Sequence, residues 1–224
     1  AFFRLGGHGI YLDLQNGELG KRETIGDYSR NLCRWVDSLV GRVFSQKTLE
    51  ELAQYGSVPV INALSDMYHP AQAMADYMTV REHLGKLQGV RLCYLGDGNN
   101  VTNSLLVAGS ILGVNVDCCV PEGCGPDVQV FAKASEIAKR NGCELRVFND
   151  PAAVKNADVL YTDTWVSMGD NTPLDSVKKK FMPYQINSAM VEQSEAKIVM
   201  HCQPAHRNYE ITDEVMDGQK SVVF

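Results

Sequence analysis

Short apolar runs alternate with stretches of helical periodicity along almost the whole chain. GHGIYLDL (7–14) reads as a strand, and ETIGDYSRNLCRWVDSLVG (23–41) sets Ile25, Tyr28, Leu32, Trp35, Val36 and Leu39 at helical spacing. GRVFS (41–45) is a short strand, and KTLEELAQYG (47–56) a helix with Thr48 and Glu51 as a capping box and Gly56 as its stop. VPVINAL (58–64) has the form of a buried strand, SDMYHP a loop, and AQAMADYMTVREHLG a helix closed by Gly85. The pattern then restarts: strand VRLCYLG, helix from about Asn100 to Leu112, strand NVDCCV, helix VFAKASEIAKRNG, strand CELRVFND and short helix AAVKNA. Two more buried runs, ADVLYTDTW and AKIVMHC, flank an irregular polar insertion with helical parts reaching Glu195. ITDEVMDG reads as a short helix and SVVF as a last strand.

Strands joined by connections of helix length demand parallel pairing with right-handed crossovers, so the fold class is α/β with doubly wound parallel sheets. GKLQGV is the polar, glycine-bounded link between two self-sufficient strand–helix series. It places a domain boundary between 1–84 and 85–224.

The 224 residues suffice for one large domain or two small ones. A net charge of −6 and a pI near 5.4 argue against nucleic acid or a membrane surface as partner. No run approaches the roughly 18 apolar residues of a membrane span, which leads us to expect a cytoplasmic protein. The seven cysteines include no C-x-x-C pair and read as thiols of a reducing compartment, with no metal site expected.

In an open parallel sheet the carboxyl ends of the strands face a crevice where ligands bind, so residues at those ends are the first candidates for chemistry. Two such ends carry DTWVSMG (163–169) and HCQP (201–204). Asp163 can hold an ammonium group. Cys202 is a buried thiol or, given a base such as His201 or His206, a nucleophile. GDGNN (96–100) follows a strand and opens a helix. It has the G-x-G of a nicotinamide-dinucleotide turn, with Asp117 near the distance of a ribose-binding carboxylate, but Val101 stands where a third glycine belongs. A plain tight turn, or a polar substrate contact through Asn99 and Asn100, fits as well. In YHPAQ, Pro70 suits the first position of a helix, and His69 with Gln72 beside free helix N–H groups suits a carbonyl compound bearing phosphate. Arg42 offers a bidentate fork for the same phosphate.

HPAQ, GDGNN, DTWVSMG, HCQPAHR and EITDEVMDG, in this order over essentially the whole chain, resemble the aspartate/ornithine carbamoyltransferase family. DxxxSMG followed by HCxP is similar to its ornithine carbamoyltransferase branch. The resemblance implies transfer of the carbamoyl group from carbamoyl phosphate to the side-chain amine of L-ornithine, giving L-citrulline and phosphate, without cofactor or metal. It further implies a carbamoyl-phosphate domain at 1–84, an ornithine domain at 85–224, an active site in the cleft between them, and a homotrimer or a multiple of trimers. Arg42, His69, Pro70, Ala71, Gln72, Cys202 and Gln203 would serve carbamoyl phosphate. Asn100, Asp163, Ser167 and Met168 would bind ornithine, and Arg42, His69, Asp163 and Cys202 would be the catalytic set.

The sequence departs from the family pattern in places. The family's STRTR phosphate loop does not occur in it, since AFFRLGG looks like the segment just after that loop, and no terminal arginine motif follows SVVF; the expectation is a partial domain at each end. Glu18 stands where the family commonly has a glutamine, on a loop that reaches a neighbouring subunit's carbamoyl-phosphate site. The competing readings are a carbamoyltransferase for putrescine or an acylated ornithine, an NAD-dependent oxidoreductase built on GDGNN, and a non-catalytic relative.

Overall fold

The computed structural model describes residues 2–12, 19–166 and 172–224. The chain divides into two compact units, Ala1–Ile61 and Asn62–Phe224.

In the first unit, α1 (Ile25–Leu32) is started by Thr24, whose hydroxyl oxygen accepts from Asp27 N at 3.1 Å. It packs on α2 (Gln46–Tyr55) through Ser29, whose buried Oγ donates to Leu52 O at 2.7 Å. β1 (Leu39–Arg42) and β2 (Val60–Leu64) form a two-stranded sheet. Residues 7–12 of the strand expected over 7–14 have no strand structure, and 13–14 lie outside the described residues. The helix expected over 23–41 stops at Leu32: the apolar spacing beyond it belongs to exposed Trp35 and to β1. The capping box on Thr48 does not form either, because α2 begins a turn earlier with Ser45 at its N-cap.

The second unit carries a parallel sheet in the order β5-β4-β3-β6-β7, built from β3 (Arg91–Leu95), β4 (Asn115–Cys119), β5 (Leu145–Phe148), β6 (Val159–Thr162) and β7 (Ile198–His201). Alternation along each strand sends Leu92, Tyr94, Val116, Cys118 and Tyr161 to one face and Cys93, Leu95, Cys119, Leu160 and Val199 to the other. α3 (Pro70–Leu84), α4 (Asn100–Leu112) and α5 (Val128–Asn141) cover the first face with Tyr77, Val80, Leu105, Leu106 and Ala134. α7 (Ser188–Ser194) and α8 (Asp213–Met216) cover the second with Met190, Val215 and Met216, after α6 (Leu174–Phe181). Helices on both faces of a parallel sheet make this unit doubly wound, as the alternation of elements demands.

SVVF is not a strand; it meets β7 at a bridge between Ser221 and Val199, where Val222 N donates to Val199 O at 3.0 Å, and Val222 and Val223 pack against the core. Among the described residues no helix is long and apolar enough to cross a membrane.

Candidate active site

The chain order reverses between β3 and β6: from β3 the sheet grows toward β4 in one direction and toward β6 in the other. Loops leaving such a pair diverge and open a crevice at the carboxyl edge. Thr162, the last residue of β6, fixes the spacing there by donating Oγ1–H to Leu95 O at 2.7 Å.

From β3 the chain enters GDGNN. Asn99 is the N-cap of α4, its Oδ1 accepting from Val101 N and Thr102 N at 3.0 and 3.2 Å. That leaves its Nδ2 to donate to Asp163 Oδ2, at 2.7 Å. Gly98 serves packing, since a Cβ there would run into the Gly125 backbone, while Gly96 takes φ 136°, a conformation that L side chains rarely adopt. Asp117 does not reach the crevice, being buried in β4 and ion-paired with Arg91 and Arg146 at 3.0 and 2.5 Å. Neither the glycine pair nor the acid fits the dinucleotide reading.

Asp163, immediately beyond β6, is 7 % exposed and is met by uncharged donors. Besides Asn99, Thr164 N donates to Oδ1 at 2.7 Å and Cys202 Sγ donates to the same oxygen at 2.9 Å. None of these three neutralises it, so the carboxylate keeps its attraction for a cation. Burial first, then the Asp163 charge, push the Cys202 thiol far above its ordinary value. The neighbouring histidines are otherwise engaged: His201 Nδ1 accepts from Gln203 N at 2.9 Å, its Nε2 meets Glu210 Oε1 at 3.2 Å, and His206 Nδ1 meets Thr164 Oγ1 at 3.1 Å. Cys202 is therefore an S–H donor rather than a nucleophile. Asp163, His201 and Cys202 place ligand atoms within 4.8 Å of one another, but these same hydrogen bonds already occupy them.

Gln203 adopts φ 58° and spends its N–H on His201, so what its backbone can offer a ligand is the carbonyl. Its side-chain Oε1 accepts from Ala205 N at 3.1 Å.

On the α3 side, His69 is the N-cap residue with Pro70 at the first helical position, and Pro70 and Ala71 lie exposed in the first turn. His69 N donates to Ser104 Oγ at 2.7 Å, and Ser104 Oγ donates to Asn100 O at 2.8 Å. Asn100 Nδ2 donates to Ser65 O at 2.7 Å. The His69 loop is thereby tied to the start of α4, with one Nδ2–H of Asn100 holding it there. Gln72, one turn into α3, donates Nε2–H to Asp76 Oδ1 at 3.0 Å.

His69, Gln72, Asn100, Asp163, Cys202 and Gln203 thus share the second unit, while Arg42 is the exposed last residue of β1 in the first. Glu18, Ser167 and Met168 lie outside the described residues. Sequence reasoning missed Asp76, Tyr161 and Glu210, which are buried partners of the site residues. A signal existed for one of them: Gln72 and Asp76 stand four apart, the spacing at which helix side chains meet.

Residues 1–82 match the carbamoyl-P binding domain, and residues 88–224 the Asp/Orn binding domain, of the aspartate/ornithine carbamoyltransferases. Ornithine carbamoyltransferase of Vibrio sp. (strain 2693) is 52% identical over 221 residues, spanning 99% of this chain and 73% of that protein. That of Thermococcus kodakarensis is 49% identical over 226 residues, 100% of this chain and 72% of the relative. The solved structure of the Pyrococcus furiosus ornithine carbamoyltransferase superposes with a TM-score of 0.93 at 47% identity, covering 99% of this chain and 71% of that one. With both domain profiles matched across nearly its full length, the chain belongs to the aspartate/ornithine carbamoyltransferase family.

Proposed function

We propose that this chain carries the carbamoyl group from carbamoyl phosphate to the δ-amine of L-ornithine, releasing L-citrulline and inorganic phosphate. Beside family membership, the observation that carries the reading is Asp163 at the switch point of the sheet: a buried carboxylate surrounded by neutral donors, suited to an amino-acid ammonium group.

In this reading residues 1–84 serve carbamoyl phosphate and 85–224 serve ornithine. Arg42 and His69 polarise the carbonyl oxygen, with Pro70, Ala71, Gln72, Cys202 and Gln203 around the donor substrate. Asn100, Asp163, Ser167 and Met168 hold ornithine. The neutral δ-amine adds to the carbonyl carbon, the oxygen takes up negative charge, and the proton of the ammonium so formed passes to an oxygen of the phosphate group. The bond to the phosphate oxygen then breaks and phosphate leaves with the electron pair. Fixed donors at the developing oxyanion and juxtaposition of two bound substrates supply the acceleration. A Cys202 thiol held protonated speaks against a covalent intermediate.

Assembly as a trimer, with Glu18 reaching a neighbour's site, belongs to the same proposal. Phe3, Leu5, Tyr11, Trp35 and Phe44 are each more than 60% exposed in the first unit, apolar surface of the kind that subunit contacts cover. The cytoplasm is the proposed location.

The deciding experiment measures citrulline formed from carbamoyl phosphate and L-ornithine, with putrescine and N-acetylornithine as rival acceptors. Preference for either rival would reassign the acceptor, and the absence of phosphate release with every one of these amines would leave the non-catalytic reading standing.

A further inference from the structure

Asp76 is a carboxylate buried to 4 % exposure on the face of α3 that packs against the sheet, and the reaction as described above does not use it. Both its oxygens are held. Oδ1 accepts from Gln72 Nε2 at 3.0 Å, and Oδ2 accepts from Tyr161 OH at 2.9 Å. Tyr161 is fully buried in β6, and burial keeps its phenol protonated, so it remains a donor and the carboxylate cannot turn. An ionised carboxylate has no proton to give. The Gln72 amide must therefore meet it through NH2, whichever way the amide is first drawn. The other end of that amide, Oε1, is an acceptor only.

Carbamoyl phosphate has one group that donates hydrogen bonds when its phosphate is ionised: the carbamoyl NH2. We propose that Asp76 is a positioning residue which locks the Gln72 amide with its oxygen toward the substrate, so that the site selects a carbamoyl group over an acyl group of the same shape. This rests on the reading of Gln72 as a carbamoyl-phosphate residue. A buried acceptor left without a donor is costly, and sites built around such a hydrogen bond discriminate strongly against analogues that lack it.

The test compares carbamoyl phosphate with acetyl phosphate, which carries methyl in place of the amine. In Asp76→Asn, the Tyr161 hydroxyl claims the new carbonyl oxygen and the new NH2 faces Gln72, turning that amide over. In Asp76→Ala the lock is simply removed. The expected result is a rise of roughly tenfold or more in KM for carbamoyl phosphate with the inhibition constant of acetyl phosphate changed less than about twofold. Adding Gln72→Glu to Asp76→Asn restores an outward acceptor and should recover most of the loss. The melting temperature of Asp76→Asn near pH 8 should be no lower than that of the unmodified protein, whereas a merely structural residue would lose stability along with function. Equal weakening of both phosphates, or an unchanged preference in both Asp76 variants, would overturn the proposal. If Gln72→Ala leaves carbamoyl-phosphate KM unchanged, or the unmodified protein makes no citrulline, the underlying reading of the site fails instead.

Discussion

Cys202 Sγ donates to Asp163 Oδ1 at 2.9 Å, joining the ends of β6 and β7 through a thiol that stays protonated. A contrasting thiol lies in the first unit. Burial raises Cys33, but hydrogen bonds from the backbone of Ser57 and Val58, joined by the Ser57 side chain, outweigh it and bring the thiol below its ordinary value. Alkylation requires thiolate, so iodoacetamide at about neutral pH should label Cys33 well before Cys202. Peptide mass mapping over a time course reads the order, and faster labelling of Cys202 would contradict its role as a donor.

Removing the charge of Asp163 while keeping its shape should separate the two substrates. In Asp163→Asn, the amide oxygen can still serve Thr164 N and Cys202, the position facing Asn99 Nδ2 becomes NH2, and an ammonium group loses its counter-charge. A charged hydrogen bond contributes about 1.5–3 kcal/mol, so kcat/KM for ornithine should fall by roughly 10- to 100-fold. Carbamoyl-phosphate affinity, measured by isothermal calorimetry, should hold nearly constant. Its collapse would mean that the half-sites are divided wrongly.

What could be read in advance depended on how local the cause was. β3, β6 and β7 were legible because a buried parallel strand must be apolar throughout, and Leu92, Leu160 and Val199 have no competing periodicity. α3, α4 and α5 stop where Gly85, Gly113 and Gly142 take φ of 73°, 74° and 69°, which glycine adopts most readily. Trp35 misled because it extends a helical spacing that the chain abandons after Leu32. At the site, Asp163 and Cys202 stood out by position at strand ends. Tyr161 did not: it looks like any strand aromatic, and its hydrogen bond to Asp76 joins residues 85 apart in sequence. Glu210, fully buried beside His201 and His206, lies only nine and four residues from them, but in an irregular stretch where no periodicity says which side chains turn inward.

Arg42→Ala and His69→Ala remove donors assigned to the developing oxyanion. Each should lower kcat by roughly two to three orders of magnitude, the scale of losing one such donor, with circular dichroism unchanged. His69 holds its loop through its backbone N–H to Ser104, a bond that an alanine retains. A loss in KM alone, with kcat preserved, would show that these groups bind the ground state and do not act on the carbonyl.

Asp76 should also leave a mark on stability. Burial, the largest cause, raises its carboxyl from 3.8 to about 6 against the opposing hydrogen bonds from Gln72 and Tyr161, and the Asp163 charge adds to the rise. The folded state therefore holds this proton more tightly than the unfolded chain. Its contribution is most favourable below pH 3.8, declines as pH rises through about 6, and is constant above that. A displacement of that size corresponds to about 3 kcal/mol, an upper figure because the group relaxes in both states. The amide introduced by Asp76→Asn does not titrate. The stability of that variant relative to the unmodified protein, taken from urea unfolding midpoints, should thus grow as pH rises from about 4 to about 6 and then level off. Tyr77, Tyr161 and Cys202, which also face Asp76, stay protonated throughout that interval and add nothing to the slope. A difference that stays flat across the interval would show that Asp76 keeps an ordinary carboxylate value, and that its burial is relieved by something other than the two hydrogen bonds seen here.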